Sequence, residues 1–223
     1  LTDKEKEAAR WGGWTGENAM NKAVIFDLDG TLLYTLEDLW QATNATLRAF
    51  GLPERTLEEV RQFVGNGAVN QMRMAVGGEP ENFGEIMAYY RDYYPRHCNE
   101  TTRPYPGIVA AAEVLKSAGF SLAIVSNKPD GATKTLWKTY FPTFDYALGE
   151  SPETPRKPAP DMVRKAMAAL GADRAVYVGD SEVDVATAQA AGLPCISALW
   201  GYRDRQTLVE SGAACLCRTP EEL

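Results

Sequence analysis

The hydrophobic positions change rhythm twice along the chain. Ala23-Val24-Ile25-Phe26 is a continuous apolar run, which reads as a short strand buried on both faces. It leads into Asp27-Leu28-Asp29-Gly30-Thr31, where the glycine marks a turn. A helical spacing follows. Leu36, Leu39, Trp40, Leu47 and Phe50 recur at helical intervals before Gly51 and Pro53, which predicts a helix over 36–50. Further helices are predicted over 58–64, stopped by Gly65-Asn66-Gly67, over 68–76, closed by Gly77-Gly78, and over 82–94, closed by Pro95. No strand pattern interrupts residues 36–101.

Beyond Arg103-Pro104-Tyr105-Pro106-Gly107, helices and strands alternate. A helix over 108–118, capped by Gly119, precedes a strand over 120–125 that ends in Ser126-Asn127-Lys128. A helix over 133–140, a strand over 144–148 and a helix over 160–170 capped by Gly171 come next. A strand over 175–178 ends in Gly179-Asp180. A helix over 182–191 and a strand over 195–198 complete the pattern. Such alternation implies parallel βαβ units with ligands at the carboxyl ends of the strands. The expected fold is α/β: a Rossmann-like parallel-sheet core from residues 21–35 and 102–223, with an all-helical cap, 36–101, inserted after the first strand. A helical insertion where active-site loops emerge is a candidate lid.

Composition narrows the function. The chain is 45% hydrophobic and 24% charged, ordinary for a soluble domain. No apolar stretch approaches the ~20 residues that span a bilayer, so no membrane partner is expected. The net charge is −7, from 23 basic and 30 acidic residues. No Lys/Arg block stands out, so nucleic acid is not an expected partner. Residues 1–20 are polar, with Gly12-Gly13 and Gly16, and lack the apolar segment of a signal peptide. They read as a poorly ordered leader, with Met20 a natural start, although Trp11 and Trp14 leave room for a docked segment. Cys98, Cys195, Cys215 and Cys217 form no Cys-x-x-Cys pair, and His97 is the one histidine. A zinc site is not expected; the thiols read as free, in a reducing cytoplasm.

The chemistry gathers at strand ends. If the backbone stays extended past Phe26, Asp27 and Asp29 face the same way. Two close carboxylates repel each other, and a hard divalent cation offsets that. Ser126-Asn127-Lys128, Lys157 within Arg156-Lys157-Pro158, and Asp180 with Asp184 lie behind three other predicted strands. A parallel sheet brings all four groups to one crevice. Singly, each has a plainer reading: a turn, a helix cap, a solvated lysine. Together, Asp27, Asp29 and Asp180 offer oxygen ligands suited to Mg²⁺. Ser126, Asn127 and Lys157 complement a phosphoryl group. A carboxylate can act as nucleophile and form an acyl-phosphate. A second can protonate the leaving alkoxide and then activate water.

Asp27-Leu28-Asp29-Gly30-Thr31, Ser126-Asn127, Lys157-Pro158 and Gly179-Asp180-Ser181 with Asp184 resemble the four motifs of the haloacid dehalogenase superfamily. The resemblance implies that Asp27 is nucleophile and Mg²⁺ ligand. Asp29 would be the general acid/base, with its backbone carbonyl on the metal, and Thr31 would orient Asp29 and its loop. Ser126 and Asn127 would bind the transferring phosphoryl group, and Lys157 would steady nucleophile and phosphate. Asp180 would bind Mg²⁺ with Asp184 in support. The cap would set substrate choice.

Asp29 argues against a dehalogenase, which by this resemblance lacks the second aspartate. Residues 36–101 contain no lysine, which excludes a phosphonatase-like Schiff base. Phe63-Val64-Gly65-Asn66-Gly67 and the return through Arg103-Pro104-Tyr105-Pro106-Gly107, with His97 upstream, are similar to the phosphoglycolate phosphatase group. Gly65, Asn66 and Gly67 are therefore candidate substrate contacts, although they also read as a helix stop. His97 reads as a surface or hinge residue. The expectation is a Mg²⁺-dependent phosphatase acting on a small phosphomonoester through an aspartyl-phosphate. A sugar phosphomutase of the β-phosphoglucomutase type and a nucleotide or pyrophosphate phosphatase are the alternatives. A non-catalytic phosphate-binding protein fits least, because binding alone needs no proton shuttle. Oligomeric state is not readable.

Overall fold

The computed structural model describes residues 21–223. The leader expected over 1–20, with Trp11 and Trp14, lies outside the described residues. Six parallel strands form the main sheet: β1 (Lys22–Phe26), β4 (Ser121–Pro129), β5 (Tyr146–Glu150), β6 (Arg174–Gly179), β7 (Cys195–Ala198) and β8 (Cys215–Cys217). Their order is β5-β4-β1-β6-β7-β8. The chain runs outward from β1 through β4 to β5, then returns to β6 on the other side. That reversal opens a crevice at the carboxyl end of β1.

Both faces of β1 are covered, which is why it reads as an unbroken apolar run. Val24 and Phe26 pack on one face with Leu122, Ile124, Ile108 and Phe144. Ala23 and Ile25 pack on the other with Ala123, Val125, Met162, Val163 and Tyr177. The period-two alternation of a strand separates the two sets. Helices α5 (Ile108–Ser117), α6 (Asp130–Tyr140), α7 (Asp161–Leu170) and α8 (Glu182–Ala191) flank the sheet.

The inserted helices are α1 (Leu36–Ala49), α2 (Leu57–Phe63), α3 (Gly67–Val76) and α4 (Phe83–His97). They share an apolar cluster built from Leu39, Val60, Met72, Ile86, Tyr90 and Tyr94. Thr56 and Glu59 form a reciprocal capping box at the start of α2. Two short antiparallel strands, β2 (Leu33–Tyr34) and β3 (Arg103–Pro104), carry the chain out to these helices and back. Beside them, the buried Asp38 carboxylate accepts the N–H groups of Glu100, Thr101 and Thr102 and both threonine hydroxyls. This knot ties the first helix of the insertion to its exit.

The structure departs from the sequence pattern in several places. Helix α4 continues through Pro95 to His97. A proline in the last turn removes one helical N–H, and the helix ends two residues later. Strand β4 runs on to Pro129, with an irregular register against β5 after Val125. Strand β5 begins at Tyr146, and the Asp145 side chain before it accepts the Leu122 N–H and pairs with Lys116. Helix α9 (Arg205–Glu210), β2, β3 and β8 have no counterpart in the sequence reading. All but α9 are two or three residues long, too short for a period to register. No described helix is long and apolar enough to cross a membrane. All four cysteines are free thiols.

Candidate active site

The strand ends bring the sequence-predicted groups together. The backbone leaves the extended conformation after Phe26 and tightens around the Leu28 carbonyl, which accepts the N–H groups of Thr31, Leu32 and Leu33. Asp27 and Asp29 therefore do not share a strand face as the sequence spacing suggested; they line one cleft with different partners. Gly30 permits the turn with φ of +86°, outside the usual range of other residues. A Cβ there would stand 2.3 Å from Asp180 Oδ2.

Lys157 lies at the centre of the acidic groups. Its Nζ donates to Asp27 Oδ1 at 2.7 Å, Asp184 Oδ1 at 2.8 Å and the Tyr177 hydroxyl at 3.0 Å. All three ammonium protons are thereby used. Burial disfavours its charge, yet Asp184 and Asp27 outweigh burial and hold the ammonium well above its ordinary range. Asp27 is pushed up to about 7, first by burial and further by Asp184 and Asp29, against the opposing pull of Lys157. Asp180 is raised well above its usual range by burial, Asp184 and Asp27, despite hydrogen bonds from Tyr202 N–H and Thr31.

Asp27, Asp180 and Asp184 each present a carboxylate oxygen within 4.8 Å of the others, all buried. Three carboxylates face one ammonium, an imbalance that a divalent cation with oxygen ligands would offset. Their hydrogen bonds separate them. Asp184, three residues into α8, reaches back over the helix start. Its Oδ2 accepts Asp180 N–H, Ser181 N–H and Ser181 Oγ–H, and its Oδ1 accepts from Lys157 and Tyr177. Asp184 is saturated. Asp180 accepts one bond per oxygen, from Thr31 Oγ1 at 2.9 Å and Tyr202 N at 2.7 Å, and each oxygen keeps a lone pair. Asp27 Oδ2 has no hydrogen bond among the described residues. Asp27 and Asp180 are the side chains able to take a cation.

Several expected roles change. Thr31 is fully buried and bonds Asp180, so it braces the acidic cluster rather than Asp29 or a substrate. Asp29 Oδ1 is held by Thr35 Oγ1 at 2.6 Å and Lys128 Nζ at 2.7 Å. The Asn127 side chain is fully committed: Nδ2 donates to the Gly65 and Lys157 carbonyls, both at 3.0 Å, while Oδ1 accepts Lys157 N–H at 2.9 Å. It clasps the helical insertion to the lysine loop and has no side-chain donor left for a phosphoryl group. Ser126 lines the cleft, as do Gly65 and Gly67; Asn66 does not. His97 stacks on Tyr93 and contacts Glu100. Arg103 lies over the Tyr34 ring and pairs with Glu37. Neither His97 nor Arg103 lines the cleft.

The sequence reading assigned no role to Lys128, Thr35, Gly201, Tyr202 or Arg203. Lys128 carried a signal, since it directly follows the Ser126-Asn127 pair. Tyr202 carried none. Its N–H reaches Asp180 and its hydroxyl accepts Thr35 N–H at 2.9 Å, linking two strand-end loops far apart in sequence. Gly201 lies so close that a Cβ would stand 2.2 Å from Asp180 Cβ. Arg203 donates to the Val64 carbonyl at 2.7 Å and the Arg61 carbonyl at 3.0 Å while pairing with Glu182.

The cleft between the sheet end and the helices is narrow, with a cavity volume of about 30 Å³, room for a water or two. Comparisons with known proteins identify the family. The profile of the family described as Haloacid dehalogenase-like hydrolase matches residues 24–198. A phosphoglycolate phosphatase of Cereibacter sphaeroides is 36% identical over 187 residues, 81% of this chain and 86% of that protein. Phosphoglycolate phosphatase 1 of Pseudomonas aeruginosa is 34% identical over 201 residues, covering 85% and 73% of the two chains. Among solved structures, a predicted phosphoglycolate phosphatase from Haemophilus somnus superposes with a TM-score of 0.81 at 27% identity, over 90% of this chain and 95% of that one. CbbY from Rhodobacter sphaeroides, in complex with phosphate, gives 0.76 at 26% identity over 92% and 96%. The chain belongs to the haloacid dehalogenase-like hydrolase family, where it stands with the phosphoglycolate phosphatase-like phosphoric monoester hydrolases.

Proposed function

We propose that this protein is a Mg²⁺-dependent phosphatase that hydrolyses a small phosphomonoester, with phosphoglycolate as the first candidate, through an aspartyl-phosphate on Asp27. The observation that carries the reading is the pair of separately held carboxylates in one cleft. Asp27 is gripped by Lys157 and Asp29 by Thr35 and Lys128. A binding protein needs no second, independently oriented carboxylate.

Asp27 and Asp180 side chains, with the Asp29 backbone carbonyl, would hold the metal, which supplies positive charge to offset repulsion between carboxylate and phosphate. Lys157 fixes the rotation of the Asp27 carboxylate. An Asp27 oxygen attacks phosphorus, and the bond to the leaving oxygen breaks. Asp29, protonated, gives its proton to that oxygen. As a carboxylate it then takes a proton from water, whose oxygen attacks phosphorus. Inorganic phosphate and free Asp27 result. Ser126 would contact the phosphoryl oxygens. The helical insertion, 36–101, acts as the cap over this site, with the Gly65–Gly67 turn at its lining. The small cleft supports a small substrate, and the curated relatives' names support phosphoglycolate. Four free thiols support a reducing, cytoplasmic setting.

Phosphate release from phosphoglycolate with Mg²⁺ is the direct test. Asp27→Asn is expected to abolish turnover without unfolding the protein. Asp29→Asn is expected to slow both steps, and trapped phosphoenzyme would support its second role. Normal turnover by Asp27→Asn, or full activity after chelation with EDTA, rejects the mechanism. Transfer of phosphate to a sugar phosphate without release would make the enzyme a mutase instead.

A further inference from the structure

Two groups in the cleft keep hydrogen-bonding capacity that this mechanism does not use. Lys128, at the irregular end of β4, has a side chain only 1% exposed. Its ammonium makes one hydrogen bond, to Asp29 Oδ1 at 2.7 Å, and lies 4.9 Å from the centre of the Tyr94 ring. Two of its three N–H donors remain unassigned among the described residues. Lys128 is the one cation among the described residues lining the cleft; Lys157 is saturated by Asp27, Asp184 and Tyr177.

Tyr94 also lines the cleft. Its hydroxyl is buried and has no hydrogen-bond partner; among the described residues the only other such side-chain group is Trp137 Nε1, away from the cleft. Neighbouring Tyr90, stacked on it with ring centres 5.5 Å apart, has its hydroxyl bonded by Gln71. A buried, unpartnered hydroxyl is rare enough to call for an explanation, and here a cation stands beside the same ring.

We infer that Lys128 and Tyr94 form the subsite that receives a carboxylate at the far end of the substrate, so that together they select phosphomonoesters of short hydroxy acids. The inference rests on the phosphatase reading of Asp27 and Asp29. The leaving oxygen meets Asp29, and Lys128 touches Asp29. In a two-carbon acid the carboxylate lies roughly 3 to 4 Å beyond the leaving oxygen, given bonds near 1.5 Å. That places it within reach of the ammonium. A carboxylate is also the group that a lysine and a phenol can bind together, with a charge-assisted bond from one and a neutral bond from the other. An uncharged alkyl tail would leave both donors unmatched.

The test compares phosphoglycolate with ethyl phosphate, which has the same length and no carboxylate, in wild type, Lys128→Met, Lys128→Arg and Tyr94→Phe. The readout is the ratio of kcat/KM for the two substrates, so losses caused by a loosened Asp29 cancel. Wild type should prefer phosphoglycolate. Lys128→Met should cut that preference at least about tenfold, mainly through KM, as removal of a charge-assisted bond does. Lys128→Arg should keep most of it, and Tyr94→Phe should reduce it about threefold. Hydrolysis of both esters without any wild-type preference overturns this subsite and leaves the phosphatase reading standing, whereas no hydrolysis of either overturns that reading. A wild-type preference that survives Lys128→Met overturns the subsite alone and leaves Lys128 as a support for Asp29.

Discussion

The sheet end and the helical insertion are held by different kinds of contact. At the sheet end, Asp27, Asp180, Asp184 and Lys157 are buried side chains bonded to one another and to the backbone. Asp180, Asp184 and Lys157 are each fixed from two or more directions, and Asp27 is tied to them through Lys157. The insertion meets that end largely through its own backbone carbonyls: Gly65 accepts from Asn127, and Val64 and Arg61 accept from Arg203. It is anchored at its root by the Asp38 knot. A cross-linked charge network stays in one arrangement, whereas a few directed bonds at a rim can break and re-form. The first suits chemistry that needs fixed geometry, and the second suits a cover that admits and releases a ligand.

Lys157→Met attacks the fixed side and should have the largest effect. It leaves Asp27 and Asp184 buried without their cation, which costs about 3–5 kcal/mol. Urea unfolding of the metal-free protein checks it, and an unchanged midpoint would mean the network is not a unit. Gly201→Ala should come next. The added methyl collides with Asp180, and a displaced ligand of this kind weakens metal binding about 10–100-fold; titration with Mg²⁺ followed by calorimetry would show it. Arg203→Met probes the other side of the comparison. Losing charged hydrogen bonds to the Val64 and Arg61 carbonyls costs about 1.5–3 kcal/mol. Amide exchange should rise over 57–76 while β1 and β6 stay protected. Equal loosening of both regions would erase the distinction.

The smallest effect concerns pH. Asp27 is raised from 3.8 to about 7 and Asp180 is raised as well. A raised carboxyl pKa stabilises the folded state while the group is protonated. The contribution is complete below the unfolded value and is lost as pH rises through the folded value. The metal-free protein should therefore lose stability between about pH 4 and 8 from these groups. Mg²⁺ should raise Tm more at the upper end, where binding displaces no proton. A Mg²⁺ shift that is larger near the lower end would contradict that assignment.

Much of this architecture was legible because strands and helices carry local periods. The run Ala23 to Phe26 was readable as doubly buried, and helix α8 and strand β7 start and stop where the pattern places them. The four polar clusters were legible because each follows a strand, and parallel topology then forces them to one edge. Asn127 was legible as a site residue but not in its use, because its partners Gly65 and Lys157 are 62 and 30 residues away. Tyr202 and Gly201 were invisible for the same reason.

Sequence by itself determined the alternating core, the helical insertion and the four polar clusters at the strand ends, since local propensity and strand order suffice for those. Tertiary structure alone decided how the aspartates divide. Asp184 is saturated by its own helix start and Lys157, Asp180 is braced by Thr31 and Tyr202, and Asp29 is turned toward Thr35 and Lys128. Four carboxylates look alike along a chain. Which hydrogen bonds each accepts, and hence which keep a lone pair for a cation or a proton, depends on neighbours that only folding brings within 3 Å.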